Sequence, residues 1–272
     1  MSLLSSLRTA QPFTALRFYG SLACNRADFR RAGRRLFPAT TLLPRREWHA
    51  GRQGQRWLHA LSRLAVRYLH AAGILDCDMS ALVPLQQTVP QPLVLVANHP
   101  SRLDSLLLAS ALPGMTCVTK ASIWDRGVLG STLRTAGYIR HDTLLRVLGP
   151  ATERLREGGP LLLFPEGTRA RAGAAPGPMR PGFAAIAQRT RLPVQVILIE
   201  TDSPYLSQGW PFLKRPPLPM RYRIRLGPRL PAPTDEASGR TLLAQVEAQL
   251  TQAGMQPPTA PAGTAPQGQS PQ

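Results

Sequence analysis

Lysine and cysteine are scarce in this chain, and acidic residues are few. Of its 33 Lys and Arg residues only Lys120 and Lys214 are lysine, against 15 Asp and Glu, which gives the 272 residues a formal net charge of +18. That balance calls for an acidic partner or surface. The three cysteines, Cys24, Cys77 and Cys117, lie scattered without paired spacing. Such spacing excludes a disulfide framework or a zinc site and fits a reducing cytosolic compartment. Aromatic residues make up only 6% of the chain. With no aromatic-rich RNA signature, zinc-ligand set or helix-turn-helix pattern beside the charge, nucleic-acid binding is the weaker reading of it. Long hydrophobic runs are missing too. The long uncharged stretch from Met79 to Ser101 contains Pro84, Pro90, Pro92 and the pair Gln86-Gln87, so it cannot span a membrane as one apolar helix. Arg8 and Arg17 interrupt any apolar segment of a secretory signal near the N-terminus.

What is present suffices for a core, since hydrophobic residues reach 43%. One domain of ordinary size with loosely structured ends is expected. Residues 1–50 form a basic, weakly patterned extension with Arg30-Arg31 and Arg34-Arg35 close together; its Arg-rich, acid-poor character has some resemblance to a transit peptide, with a misassigned start codon or a basic surface arm as the alternatives. From Arg52 to Gly73 the spacing of Trp57, Leu61, Leu64, Ala65, Tyr68, Leu69 and Ala72 predicts an amphipathic helix flanked by Arg56, Arg63 and Arg67. It either docks on the core or lies in a lipid interface with its Arg heads on anionic phosphates. Strands are expected at 93–97, 115–119, 136–140, 161–164, 193–199 and 221–226, alternating with helices at 103–111, 122–134, 142–157, 182–190 and 236–252. That order predicts an α/β domain with a largely parallel central sheet flanked by helices. From 254 to 272 Pro, Gly, Gln, Ala and Thr dominate without apolar period, so this tail is expected to be disordered.

Two strand ends carry the chemistry. After the apolar run Leu93 to Ala97 comes Asn98-His99-Pro100-Ser101-Arg102-Leu103-Asp104. Pro100 biases His99 towards extended backbone. On one unbroken helix His99 and Asp104 would be turned about 140° apart, whereas a turn at Pro100-Ser101 lets the carboxylate fold back to the imidazole. An Asp on one ring nitrogen fixes the tautomer and leaves the other nitrogen as base. No Ser or Cys sits in a nucleophile elbow, so the base would act on a substrate hydroxyl without a covalent intermediate. The bland alternative is a Ser101/Asp104 capping box. The second strand end, Phe164-Pro165-Glu166-Gly167-Thr168-Arg169, offers a turn in which Gly167 permits positive φ and close approach. Arg169 has a planar fork suited to phosphate, exposed N–H groups can form an anion nest, and Glu166 can orient Arg169 or bind an acceptor hydroxyl. An internal Glu166–Arg169 pair on a surface turn is the bland alternative. His141-Asp142 is a poor second acid/base pair, because neighbours on a strand face opposite sides.

In this order and spacing the two motifs resemble the glycerolipid acyltransferase family typified by 1-acylglycerol-3-phosphate acyltransferases. Asn98, His99 and Asp104 match its Asn-His-x4-Asp signature, and Phe164 to Arg169 match its third signature without change. The resemblance covers roughly residues 90 to 230 and implies an acyltransferase domain over residues 51–253, the N-terminal amphipathic helix included. It implies that His99 is the base, oriented by Asp104, for attack of an acceptor hydroxyl on the thioester of acyl-CoA or acyl carrier protein, with no cofactor and no metal. It implies that Glu166, Gly167, Thr168 and Arg169 bind the phosphate and glycerol part of a lysophospholipid. Lys120 matches a family lysine for phosphate or oxyanion. Two departures weaken a phosphatidate assignment. The second signature's Gly is matched by Gly137, but Arg140 follows only three residues on and is expected to substitute as phosphate contact. The fourth signature is reduced to Leu192-Pro193-Val194-Gln195-Val196. A non-phosphatidate acceptor, of ornithine lipid or glycolipid type, is the alternative, and a lipid-binding scaffold without activity is the third. The expected location is peripheral, on the cytoplasmic face of an anionic membrane.

Overall fold

The segment Leu93–Ala97 is apolar on both faces, and only the middle of a sheet covered on both sides can bury it. The computed structural model describes residues 15, 17–20, 47–88, 91–125, 127–174 and 177–254, and it places this strand at the centre. The elements run α1 (Glu47–Ala71), β1 (Leu75–Asp78), a 3₁₀ turn (Ser80–Leu82), α2 (Val83–Thr88), β2 (Leu93–Ala97), α3 (Leu103–Ala111), β3 (Thr116–Lys120), α4 (Ala121–Trp124) and α5 (Gly127–Thr135). Then follow β4 (Ile139–His141), α6 (Leu144–Arg156), β5 (Pro160–Leu163), α7 (Gly182–Thr190), β6 (Val194–Thr201), β7 (Met220–Leu230) and α8 (Glu236–Gly254). The 7-stranded sheet has the order β1-β7-β6-β2-β5-β3-β4. From β6 to β4 all neighbours are parallel, β7 is antiparallel to β6, and β1 joins β7 in parallel.

Alternation along the strands divides the core into two layers. Leu95, Ala97, Leu162 and Ile197 face Leu58 and Val66 of α1 and Leu107 and Leu108 of α3. Val94, Val96, Leu161 and Val196 face Val147 and Leu155 of α6, Phe183 and Ile186 of α7, and Val246 and Leu250 of α8. The largely parallel sheet matches the fold expected from the sequence, and the bounds of β2, α3 and α7 agree residue for residue.

Elsewhere the structure corrects the sequence. The helix expected at 122–134 is two, α4 and α5, with Gly130 packed so closely on Trp124 that an added Cβ would lie 2.0 Å from its carbonyl oxygen. The strand expected at 136–140 begins only at Ile139, because Gly137 turns the chain at φ +71°. β1 escapes detection because Asp76 and Asp78 break its apolar character at the sheet edge. α2 was hidden by Pro84, which sits in its first turn where no N–H is missed. β7 runs on to Leu230 through Pro228; β1 pairs only with residues 220–223, so the proline's side of the strand faces no partner.

The N-terminal helix begins at Glu47, not Arg52, and its buried face is not the expected stripe. Gly54, Gln55, Leu58, Ser62 and Val66 turn inward, whereas Trp57, Leu64 and Tyr68 are exposed beside Arg52, Arg56, Arg63 and Arg67. Contact with backbone decides this orientation. A Cβ on Gly54 would meet the Thr135 carbonyl oxygen at 2.1 Å, Gln55 Nε2 donates to Ala136 O, and His59 Nδ1 lies 2.8 Å from Ala109 O. In the basic extension, Phe18 is buried against Tyr205, with ring centroids 5.4 Å apart. No helix of the described residues is long and apolar enough to cross a membrane. The rest of the extension and the tail from 255 lie outside the described residues.

Candidate active site at the parallel strand ends

β2 and β5 are parallel neighbours, so their C-terminal ends deliver both motifs to the same edge of the sheet. Asn98 continues the ladder with its side chain: Nδ2 donates to Ile199 O at 2.8 Å and Oδ1 accepts Ile199 N–H at 2.7 Å. This buried amide ties the end of β2 to β6 and fixes where the next residue emerges. His99 then leaves the strand, and the chain turns through Pro100 and Ser101 into α3. Asp104, fully buried in the first turn, places Oδ2 at 2.8 Å from His99 Nδ1 while accepting Ser101 N–H at 2.8 Å. The capping contact and the imidazole contact therefore coexist on one oxygen. Asp104 Oδ1 is buried with no partner among the described residues.

The imidazole ring stacks on Phe164 with centroids 3.9 Å apart and 16° between planes. Its plane is thus set by an aromatic face and its rotation by a carboxylate. In a neutral ring, an Nδ1–H donated to Asp104 would leave Nε2 as the acceptor. Burial pushes the Asp104 carboxyl up; the hydrogen bonds from His99 and Ser101 and the charge of Arg169 oppose that rise.

The second motif arrives as a tight turn closed by Gly167 N–H on Phe164 O at 3.0 Å, with Gly167 at φ +65°. Glu166 does not pair with Arg169. It accepts the backbone N–H of His99 on Oε1 at 3.0 Å, and Oε2 is buried without a partner among the described residues. Arg169 Nη1 donates to the carbonyls of Leu206 at 2.5 Å and Ser207 at 2.9 Å. One end of the guanidinium is therefore engaged by the 203–207 loop. Ser101 Oγ holds the same loop through Tyr205 O at 2.8 Å. Gly167 N–H is already used, as is Ala170 N–H on His99 O, so the expected nest is smaller than the sequence implied.

A cavity of about 500 Å³ opens at His99 and is lined by Lys120, Gly167, Thr168 and Arg169 at its polar end. Leu58, Leu106, Leu133, Tyr138, Phe183 and Ile186 line its apolar reach. Arg102 and Arg180 line it too, and no sequence pattern singled them out. Arg140 does not. Its guanidinium pairs outside with Asp142 at 2.9 Å and Asp125 at 3.4 Å, so the expected phosphate contact is absent from the cavity wall. Asp142 is thereby committed to Arg140, and it supplies no second acid/base pair with His141. A smaller cavity of about 290 Å³ lies beside Asn98, His99, Glu166 and Ser203.

Comparison with known proteins gives concordant matches. The family model for acyltransferases matches residues 82–200. A 1-acyl-sn-glycerol-3-phosphate acyltransferase of Helicobacter pylori is 30% identical over 112 residues, 39% of this chain and 47% of the relative. The chloroplastic 1-acyl-sn-glycerol-3-phosphate acyltransferase BAT2 of Brassica napus is 33% identical over 113 residues, 40% of this chain and 33% of the relative. These matches span less than half the length of either relative. In fold, the chain is similar to the 1-acyl-sn-glycerophosphate acyltransferase PlsC from Thermotoga maritima, with a TM-score of 0.62 and 18% identity over 89% of this chain and 93% of that one.

The Glu166 environment has a measurable consequence. Burial lifts its carboxyl from 4.5 to about 7, opposed by the His99 N–H and helped by the Asp104 charge. A carboxyl raised in the folded state contributes stability that is complete below its unfolded value and lost as pH rises through the folded one. Thermal unfolding of Glu166→Gln against wild type should therefore show the variant gaining steadily from about pH 5 to about pH 8. A stability difference that stays constant over this range would mean that Glu166 is ionised throughout.

Proposed function

We propose, from the premise that residues 82–200 of this chain belong to the acyltransferase family, that the protein moves a fatty acyl group from a thioester to a lysophospholipid hydroxyl. The observation that carries the reading is the His99–Asp104 contact at the mouth of a cavity with a cationic end and an apolar reach. His99 Nε2 takes the acceptor's hydroxyl proton as the oxygen attacks the thioester carbonyl carbon. The C–S bond then breaks, the ester forms, and the thiolate of acyl-CoA or acyl carrier protein leaves with the proton from the imidazolium. Asp104 keeps Nδ1 protonated and stabilises the imidazolium in between. Arg169 and Lys120 lend positive charge to the acceptor phosphate and to the oxyanion. Gly167 and Thr168 form the floor of this end, and Glu166 holds the His99 backbone. The apolar reach takes the acyl chains, because only their burial rewards such a lining. No step calls for a cofactor.

The protein works as a peripheral enzyme on the cytoplasmic face of an anionic membrane. Support comes from the net charge of +18 and from α1, whose Trp57 and Leu64 are 46% and 62% exposed between arginines while its other face lines the cavity. A lysophosphatidate-like acceptor is favoured over a glycolipid or ornithine lipid by the cations at the cavity mouth.

With lysophosphatidate and labelled acyl-CoA or acyl carrier protein, purified enzyme should form the diacyl product. His99→Ala should lower kcat by roughly 10²–10⁴-fold at unchanged fold, and full activity in that variant would reject the assigned base. The double variant Trp57→Ser, Leu64→Ser should bind anionic vesicles at least tenfold more weakly, on the basis of its lost apolar area. Undiminished vesicle binding would assign membrane contact to another surface.

A further inference from the structure

A phosphate monoester carries close to two negative charges at neutral pH, and its recognition normally engages more than one cationic side chain. In this chain the arginine three residues after Gly137 is spent elsewhere: Arg140 pairs with Asp125 and Asp142 away from the cavity. Arg169, the remaining motif arginine, has one nitrogen bonded to two backbone carbonyls. Taken alone, the motif residues leave the cavity with an incomplete phosphate clamp.

Two further arginines, Arg102 at a variable position inside the first motif and Arg180 beyond the Phe164–Arg169 motif, stand on the same wall. Arg102 emerges from the turn between His99 and α3, and Arg180 lies across the Gly167 turn; both line the cavity that opens at His99. The fit at Gly167 is close, since a methyl group added there would come 3.0 Å from Arg180 Nε. Neither side chain has a hydrogen bond or ion pair to any described residue. Arg102 is near enough to Arg169 for the two charges to repel, which together with burial lowers the Arg169 pKa. Among the described residues the carboxylate acting on Arg169 is Asp104, and that group is committed to the imidazole. Three like charges gathered at one rim, with no ion pair to any described residue, are unfavourable until an anion arrives. Geometry supplies the reason for their gathering. The β2 and β5 turns are adjacent because the strands are parallel neighbours, and Arg180 N–H is anchored on Pro165 O at 2.9 Å.

We propose that Arg102 and Arg180 bind the acceptor's phosphate monoester and, with Arg169, replace the contact that Arg140 would have made. This rests on the acyl-transfer reading and specifies its acceptor: a lysolipid with a terminal phosphate, preferred over an uncharged or zwitterionic one. The phosphates of an acyl-CoA or of a phosphopantetheine arm share this chemistry, so acceptor and donor must be varied separately.

The test is steady-state kinetics of full-length wild type, Arg102→Gln, Arg180→Gln, the double variant and Arg140→Gln, with lysophosphatidate or monoacylglycerol as acceptor. Each single variant should raise the KM for lysophosphatidate roughly tenfold, a charged hydrogen bond's worth, and the double variant roughly a hundredfold, with donor KM unchanged. Arg140→Gln should leave both KM values as they are, and Arg102→Lys should recover part of the loss. Circular dichroism and thermal unfolding verify that the variants fold; all three side chains are exposed, and those of Arg102 and Arg180 make no hydrogen bond or ion pair to any described residue. A KM rise confined to the donor would move the two arginines to the donor's phosphates and overturn the assignment. So would unchanged kinetics in the double variant, or an acceptor defect in Arg140→Gln. Wild type that acylates neither acceptor would sink the acyl-transfer reading instead, and the two failures are thereby told apart.

Discussion

One carboxylate oxygen organises this site. Asp104 Oδ2 accepts the Ser101 N–H and faces His99 Nδ1, each at 2.8 Å. The first contact closes the turn that brings α3 back towards the end of β2; the second uses that closure to aim an imidazole. Without the turn, residues five apart on a helix would point about 140° away from each other. Helix initiation and orientation of the proposed base are thus one event, which is why the capping and catalytic interpretations of Asp104 do not compete. The cost is a carboxyl buried without water, and burial pushes its pKa up. Two donors on one oxygen offset part of that cost, and the rigidity of the surrounding layers keeps them in place.

Those layers are successive shells of backbone recognition. Asn98 splices β2 to β6 by mimicking a peptide group, Glu166 holds the His99 N–H, and Phe164 stacks under the ring. The 203–207 loop, with Leu206 at φ +59°, presents carbonyls to Ser101 and Arg169 at once. Most of the second motif's carboxylate and guanidinium hydrogen bonding therefore positions the first motif and its loop. In the proposed function, charge for a substrate anion comes from rim cations that have no ion pair among the described residues, and apolar volume comes from α1, α3, α5 and α7. Because α1 lines the cavity with one face and exposes Trp57 and Leu64 on the other, the proposed membrane contact and the cavity share a single helix.

Much of this was legible in the residues. β2, α3 and α7 are bounded by proline, glycine and turn residues, and their periods leave little choice. The two motifs fall at the ends of apolar runs, so a parallel sheet had to bring them together. Other features depend on information that spacing lacks. The partner of Glu166 is a backbone N–H on another strand, which no side-chain pattern announces. Arg140 had a local alternative in Asp142, two residues on, whose pull is visible only once the strand end is built. Arg102 occupies a variable position inside the first motif, and Arg180 reaches the site only through the fold, beside the Gly167 turn. On α1, apolar residues occur on two sides, and the choice between them was made by Gly54 against the Thr135 carbonyl, a contact between backbones far apart in the chain.

Nitrogen NMR of the His99 ring probes the organising contact most directly. With imidazole-labelled protein near neutral pH, the account predicts a protonated Nδ1, hydrogen-bonded to Asp104, and an unprotonated Nε2; Asp104→Asn should abolish that tautomer preference. A spectrum showing Nε2 protonated and Nδ1 bare in the wild type would contradict it, since no base would then face the cavity.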